Sequence, residues 1–182
     1  IQTFHVKMSE ELSHLNSLKN TFQEAYLQLL NQHPPTQVSV KQIVLVANTS
    51  RSSFYTHFDN REQLHLYVKQ QIHREFFMHY EIKNPHEFSS TTTLKLCQHI
   101  IKYRSYYQHA LQDTLDFHHL SIELSNYLMH VYNDLDYAIF ASFGTIGFLK
   151  NWVEHDFLIS PSEAAEKLMK IGFTNWASKV NI

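Results

Sequence analysis

Ser39-Val-Lys-Gln-Ile-Val-Leu-Val-Ala-Asn-Thr-Ser-Arg-Ser-Ser-Phe-Tyr-Thr-His-Phe58 is the stretch on which the fold turns. It opens with a capping box: the Ser39 hydroxyl takes a free backbone N–H of the first turn, and Gln42 reaches back to the cap. The helix so started stops at Ala47. Asn48 follows, and Asn is the non-glycine residue that best tolerates the left-handed backbone needed just past a helix end. Ser50 then caps a second helix, Arg51 to Phe58. Two short helices joined by Asn48-Thr49-Ser50 have helix-turn-helix spacing, in which the second helix enters the DNA major groove while the first crosses it and touches the backbone. The side chains fit that use. Ile43, Val44, Ala47, Phe54 and Phe58 face a small core, whereas Lys41, Arg51, Ser52, Ser53, Thr56 and His57 stay outside. These outer residues are donors to phosphates and base edges, and the helix N-terminus adds unpaired N–H groups. Two short helices and a polar turn also occur as a plain packing unit in helical domains, so the residues, more than the spacing, carry the reading.

Outward from this segment the chain is a series of 3.6-residue apolar patterns with few interruptions. A first helix runs from Ser9 to Asn31 on a stripe of Leu12, Leu15, Leu18, Phe22, Ala25, Tyr26 and Leu29, and Pro34-Pro35 stops it. Asp59-Asn-Arg-Glu62 starts a long helix through Leu64, Val68, Ile72 and Phe76 to about Ile82, and Pro85 closes the section. Further helices are expected at Ser89–Tyr106, Gln108–Leu115, His118–Tyr132, Asp134–His155 and Ser162–Ser178. The last is announced by Ser160-Pro-Ser-Glu163, an N-cap Ser, a Pro at the first helical position and a Glu that closes the box. The fold class is all-α with about nine helices.

Composition excludes much else. Of 182 residues, 3 are Gly and 4 are Pro, too few for a many-stranded fold or a glycine-rich phosphate loop. One cysteine, Cys97, rules out an internal disulfide and fits a reducing compartment. The longest near-continuous apolar run, Tyr137 to Leu149, falls short of the roughly 20 residues of a membrane span. No leader segment opens the chain, and with the lone cysteine a cytoplasmic location is expected. The formal charge of -2 argues against a nucleic-acid binder. Locally, however, Ser39 to Arg61 sets Lys41, Arg51 and Arg61 against Asp59 alone.

Val38 to Leu64, and most of all Phe54-Tyr55-Thr56-His57-Phe58 with Glu62 and Leu64, resembles the DNA-binding segment of the TetR family of transcriptional regulators. The resemblance runs from about Leu18 to Val68. It implies that Ser39, Tyr55 and His57 hold phosphates. Arg51, Ser52, Ser53 and Thr56 face bases, with Ser50 at the N-terminus of the same helix, and Lys41 reaches a base edge or phosphate. Arg61 stands where the family has a phosphate-binding Lys. The chain departs from the family at Asn48, which replaces a turn Gly, and at Asp59, whose charge opposes the DNA backbone unless it caps a helix. Gly144-Thr-Ile-Gly-Phe-Leu-Lys-Asn-Trp152 followed by Ser160-Pro-Ser-Glu163 is similar to members related to regulators of dihydroxyacetone kinase operons.

The architecture so implied has a DNA-binding domain over residues 1–64 and an effector-binding and dimerisation domain over 65–182. Ala138, Ala141, Ser142, Thr145, Phe148 and Trp152, with Leu168, Ile171 and Gly172, are expected at a homodimer interface. An intramolecular core is the competing reading of that stripe. Phe76, Phe77, Tyr103, Tyr106, Tyr107, Phe117 and His118 are expected to wall an effector pocket, although such aromatic stripes are also ordinary core. The expected function is a homodimeric repressor that leaves a palindromic DNA operator when an unknown small effector binds. Control by a protein partner, or an all-helical metal-binding protein, are the alternatives. No cofactor, metal, membrane or catalytic role is assigned. There is no nucleophile elbow, Walker loop or two-Cys zinc motif. His118-His119, His99/His109 and His119/His130 lack the i, i+4 spacing by which one helix face grips zinc.

Overall fold

A computed structural model describes residues 17–79 and 90–172, and among them there are nine α-helices, one 3-10 turn and no strand. Expectations for Leu12, Leu15, the end of the long helix at Ile82, Pro85 and the segment beyond Gly172 lie outside the described residues. The chain forms two compact units that part between Ile72 and His73.

The first unit holds α1 (residues 17–29), the 3-10 turn Pro35–Gln37, α2 (Val40–Val46), α3 (Arg51–His57) and the start of α4 (Arg61–Met78). Its core is aromatic. The Phe22 ring meets Phe54 edge-on at 5.3 Å and Phe58 at 6.2 Å, and Phe54 and Phe58 are 5.7 Å apart. Phe22, Phe54, Ile43, Leu64 and Val68 are wholly buried. Each such side chain contributes about 1.5–3 kcal/mol on burial, enough to fix two seven-residue helices that have little stability alone. Buried Tyr26 finds a partner for its hydroxyl in His65 Nδ1 at 2.8 Å.

The helix starts follow the expected chemistry with one shift. Ser39 Oγ accepts from the Gln42 N–H while Gln42 Oε1 accepts from the Ser39 N–H, the complete box. Ser50 caps α3 through the Ser53 N–H, and Asn48 between the helices has φ 50. At α4 the capping residue is Asn60 in place of Asp59. Asn60 Oδ1 accepts from the Gln63 N–H at 2.8 Å, and Gln63 Oε1 accepts from the Asp59 N–H at 2.7 Å. Asp59 is held outside by the Gln63 amide.

The second unit comprises the end of α4, α5 (Ser90–Lys102), α6 (Arg104–Ala110), α7 (Thr114–Tyr132), α8 (Leu135–Glu154) and α9 (Pro161–Gly172). α7 packs along α8, and α5 along α9. Between α7 and α8 the chain reverses at Asn133, with φ 53, and Asp134 caps α8. Ser160 and Glu163 form the expected box at the start of α9.

From α5 to α7 the boundaries differ from the sequence reading, and the helix expected over Gln108–Leu115 lies instead at Arg104–Ala110. The single helix expected over Ser89–Tyr106 breaks at Tyr103, whose backbone leaves the helical region at φ -108, ψ 32. No Gly or Pro marks this break. At the break the Tyr103 hydroxyl donates to Glu75 of α4 at 2.5 Å, and Tyr106, Tyr107 and Ala110 beyond it are buried. α7 starts at Thr114, ahead of the expected His118, because Asp113 Oδ1 accepts from the Leu115 and Asp116 N–H groups. Buried Cys97 sits on α5 within this unit.

Candidate nucleic-acid interface

With Phe54 and Phe58 turned into the core, the helical period leaves Arg51, Ser52, Tyr55 and Thr56 of α3 on the solvent side. Lys41 of α2 and the caps Ser39 and Ser50 are exposed as well, and Ser53 and His57 are half-buried. The Tyr55 ring is 54% exposed, although it rests edge-on against Phe54 at 5.5 Å. An aromatic ring braced on one side and wet on the other carries its hydroxyl outward at little entropic cost. His57 stands near Phe22, at 6.0 Å between rings.

Several expected donors already have work within the protein. The Ser39 hydroxyl donates to Gln42 Oε1 at 2.7 Å, and the Thr56 hydroxyl donates to the Ser52 carbonyl at 3.0 Å. Both keep free acceptor capacity and can exchange these bonds for a phosphate or base. Arg61 is the larger departure. Its Nη1 donates to the Pro35 carbonyl at 2.7 Å and to the Val38 carbonyl at 3.4 Å, and Nη2 pairs with Glu62. The guanidinium therefore ties the start of α4 to the turn preceding α2. The sequence gives no hint of this, because the two carbonyls lie 23 and 26 residues away along the chain. Leu45 of α2, not singled out from the sequence, is 76% exposed.

The residues expected at a dimer interface divide. Ala138, Ser142 and Trp152 are buried within the chain itself, and the Trp152 indole donates to the Ile159 carbonyl at 3.0 Å. Such groups leave no surface for a partner. Ala141, Thr145, Phe148 and Leu168 are half-buried, and Ile171 and Gly172 exposed. The apolar groups that α8 exposes most are Leu135, Tyr137, Ile139 and Phe140, near its N-terminal end.

The residues expected to wall a pocket also divide. Phe76, Tyr103, Tyr106 and Tyr107 are buried together around His99, with Phe77 half-buried beside Phe76 at 5.1 Å. Phe117 and exposed His118 stand by Phe143 of α8. Polar groups thread the first cluster. His73 bridges Glu123 and the Tyr106 hydroxyl at 3.1 Å each, and Glu75 accepts from Lys102 Nζ at 2.7 Å and the Tyr103 hydroxyl at 2.5 Å. Burial pushes the Glu75 carboxyl up, but the bonds from Lys102 and Tyr103 outweigh it and hold it below the usual carboxylate range. Burial holds His99 down at about 4, so its ring is neutral.

Residues 24–68 match the family described as bacterial regulatory proteins, tetR family. Among solved structures the fold is similar to a transcriptional regulator of the TerR/AcrR family from Aquifex aeolicus VF5, with a TM-score of 0.68 and 20% identity over 86% of this chain and 99% of that one. It is similar to a TetR transcriptional regulator from Streptococcus agalactiae 2603V, with a TM-score of 0.62 and 16% identity over 91% and 98% of the two chains. The dihydroxyacetone kinase operon activator DhaS superposes with a TM-score of 0.65 and 15% identity over 85% and 93%. No curated protein matches by sequence. Among the described residues no helix is long and apolar enough to cross a membrane.

Proposed function

We propose that this chain, a transcriptional regulator of the tetR family by its residues 24–68, is a homodimeric repressor that leaves a palindromic operator when a small effector binds the helices after α4. The observation that supports DNA reading most directly is the outer face of α3. Arg51, Ser52, Tyr55 and Thr56 are all exposed on one short helix whose other face is locked by Phe54 into an aromatic core. A rigid helix with a wet, donor-rich face and a capped N-terminus suits the major groove. In this reading Arg51 and Thr56 meet base edges, Tyr55 and Ser39 meet phosphates, and Lys41 reaches either. Arg61 is left out, since its guanidinium is held by the Pro35 carbonyl and Glu62.

A homodimer is supported by the exposed apolar groups of α8, Leu135, Tyr137, Ile139 and Phe140, which a partner copy would cover. Two heads related by a twofold axis would meet half-sites about one helical turn (roughly 34 Å) apart. Effector control requires a ligand that binds the DNA-free arrangement more tightly than the bound one. The aromatic and polar groups around Tyr103, Tyr106 and Tyr107 are the proposed place for it. One structural neighbour is named as an operon activator, and the sign of control is open to the same assay.

The test is a fluorescence-anisotropy titration of the purified chain against DNA from upstream of its own coding region, with in vitro transcription on the same fragment. The expected result is sequence-selective binding by a dimer, with transcription lowered. A folded dimer that shows no sequence preference at low salt refutes DNA reading, and raised transcription refutes repression.

A further inference from the structure

Glu75 and His79 stand four residues apart at the end of α4, so both side chains leave the same side of the chain. His99 approaches them from α5. One ligand atom from each of the three lies within 4.8 Å of the others, the only such group of three among the described residues. No sequence motif marks the set, because His99 joins from another helix, 20 positions beyond His79.

The state of His99 is what distinguishes this cluster from a chance gathering of polar groups. Its side chain is fully buried, and its two ring nitrogens are treated differently. Nε2 is hydrogen-bonded to the Tyr107 hydroxyl at 2.9 Å. Nδ1 is buried without a hydrogen-bond partner, and it faces Glu75 Oε1 at 3.7 Å, beyond hydrogen-bond reach. A buried polar atom left unsatisfied is costly, and a ring held by its far nitrogen with the near one open is how ligating histidines are arranged.

We propose that Glu75, His79 and His99 form a binding site for a divalent first-row transition metal of the zinc class. Two imidazoles and one carboxylate are a borderline donor set that suits zinc or cobalt and leaves a fourth position open. Ligand bonds of about 2.0–2.2 Å put tetrahedral ligand atoms roughly 3.5 Å apart, so the trio must close by about 1 Å. Half-exposed His79, just past the last residue of α4, can supply that by rotation. Metal on His99 Nδ1 leaves Nε2–H to donate to Tyr107, which fixes the ring as an outer-shell partner does. Lys102 is the competitor. Its ammonium holds the same Glu75 Oε1 at 2.7 Å, and it is exposed enough to swing away when a dication arrives. The site is independent of DNA binding, and its test needs no operator.

The experiment is a titration of the chelator-stripped full chain with cobalt(II), followed by ligand-field absorption, and with zinc(II) in competition with a chromophoric chelator. The expected result is one metal per chain. His79→Ala and Glu75→Gln should each weaken it at least tenfold, Lys102→Met should tighten it several-fold, and exposed His119→Ala should leave it unchanged. His99→Ala opens the core and is not decisive; the two half-exposed positions are, with folding checked by circular dichroism. Absence of saturable binding at one per chain overturns the proposal. So does unchanged affinity in both His79→Ala and Glu75→Gln, which would assign the metal to other histidines among the 14 in the chain.

Discussion

Replacing Arg61 by Met separates two roles that the sequence could not. Met keeps an apolar stem of similar length and removes the guanidinium. Its short bond to the Pro35 carbonyl, 2.7 Å, is charge-assisted and contributes about 1.5–3 kcal/mol; the contact to Val38 at 3.4 Å is too long to add much. The pair with Glu62 is open to solvent and adds little. The first unit should therefore lose about 2 kcal/mol. At a urea m-value of about 2 kcal/mol/M, its midpoint falls by about 1 M. Far-UV circular dichroism in urea is the assay. Trp152 is buried in the second unit, so its fluorescence, read in a Trp176→Phe background, should hold its midpoint and serve as the internal control. Operator affinity measured well below the transition should change by less than about twofold, with the same dependence on salt. The reasoning is refuted if the midpoint stays put while the slope of log affinity against log salt becomes shallower by about one per head, because that is the loss of a phosphate contact.

Other substitutions probe the remaining surfaces. Tyr55→Phe removes only a hydroxyl and should weaken all DNA sequences alike, by roughly fivefold, whereas Arg51→Ala should shift sequence preference in a randomised-site selection. Unchanged preference for Arg51→Ala would show that α3 is wrongly oriented here. At Asn48, with φ 50, Gly should be neutral within about 0.5 kcal/mol, while Val should cost 1–2 kcal/mol, read as a lower melting temperature. Phe140→Glu, on the exposed face of α8, should give a folded monomer by sedimentation, and a persistent dimer would place the interface elsewhere.

Capping chemistry was the most legible part of the sequence, because a cap is local. Ser39 with Gln42, Ser50 before α3, and Ser160 with Glu163 can each be read within four residues, and Asn48 announces its own backbone angle. Asp113 is local in the same way, an N-cap Asp immediately before Thr114. What the sequence hid depends on partners distant along the chain. The break comes at Tyr103, whose hydroxyl donates to Glu75, 28 positions away, and the anchoring of Arg61 depends on carbonyls more than 20 residues away. The small-residue stripe of α8 is open to two readings for a related reason. Ala138 and Ser142 are small enough to suit either a partner helix or a close-packed neighbour within the chain, and helical spacing alone does not choose between them.

Cys97 gives the second unit a chemical clock. Burial pushes its thiol up to about 12, so at pH 7.5 fewer than about one molecule in a thousand carries the thiolate that alkylating agents attack. No other cysteine in the chain competes for reagent. Modification must then wait for α5 to open, and the labelling rate reports the free energy of that opening, much as amide exchange does but from a single known atom. Any metal or effector that braces this unit should slow the clock in proportion to its occupancy.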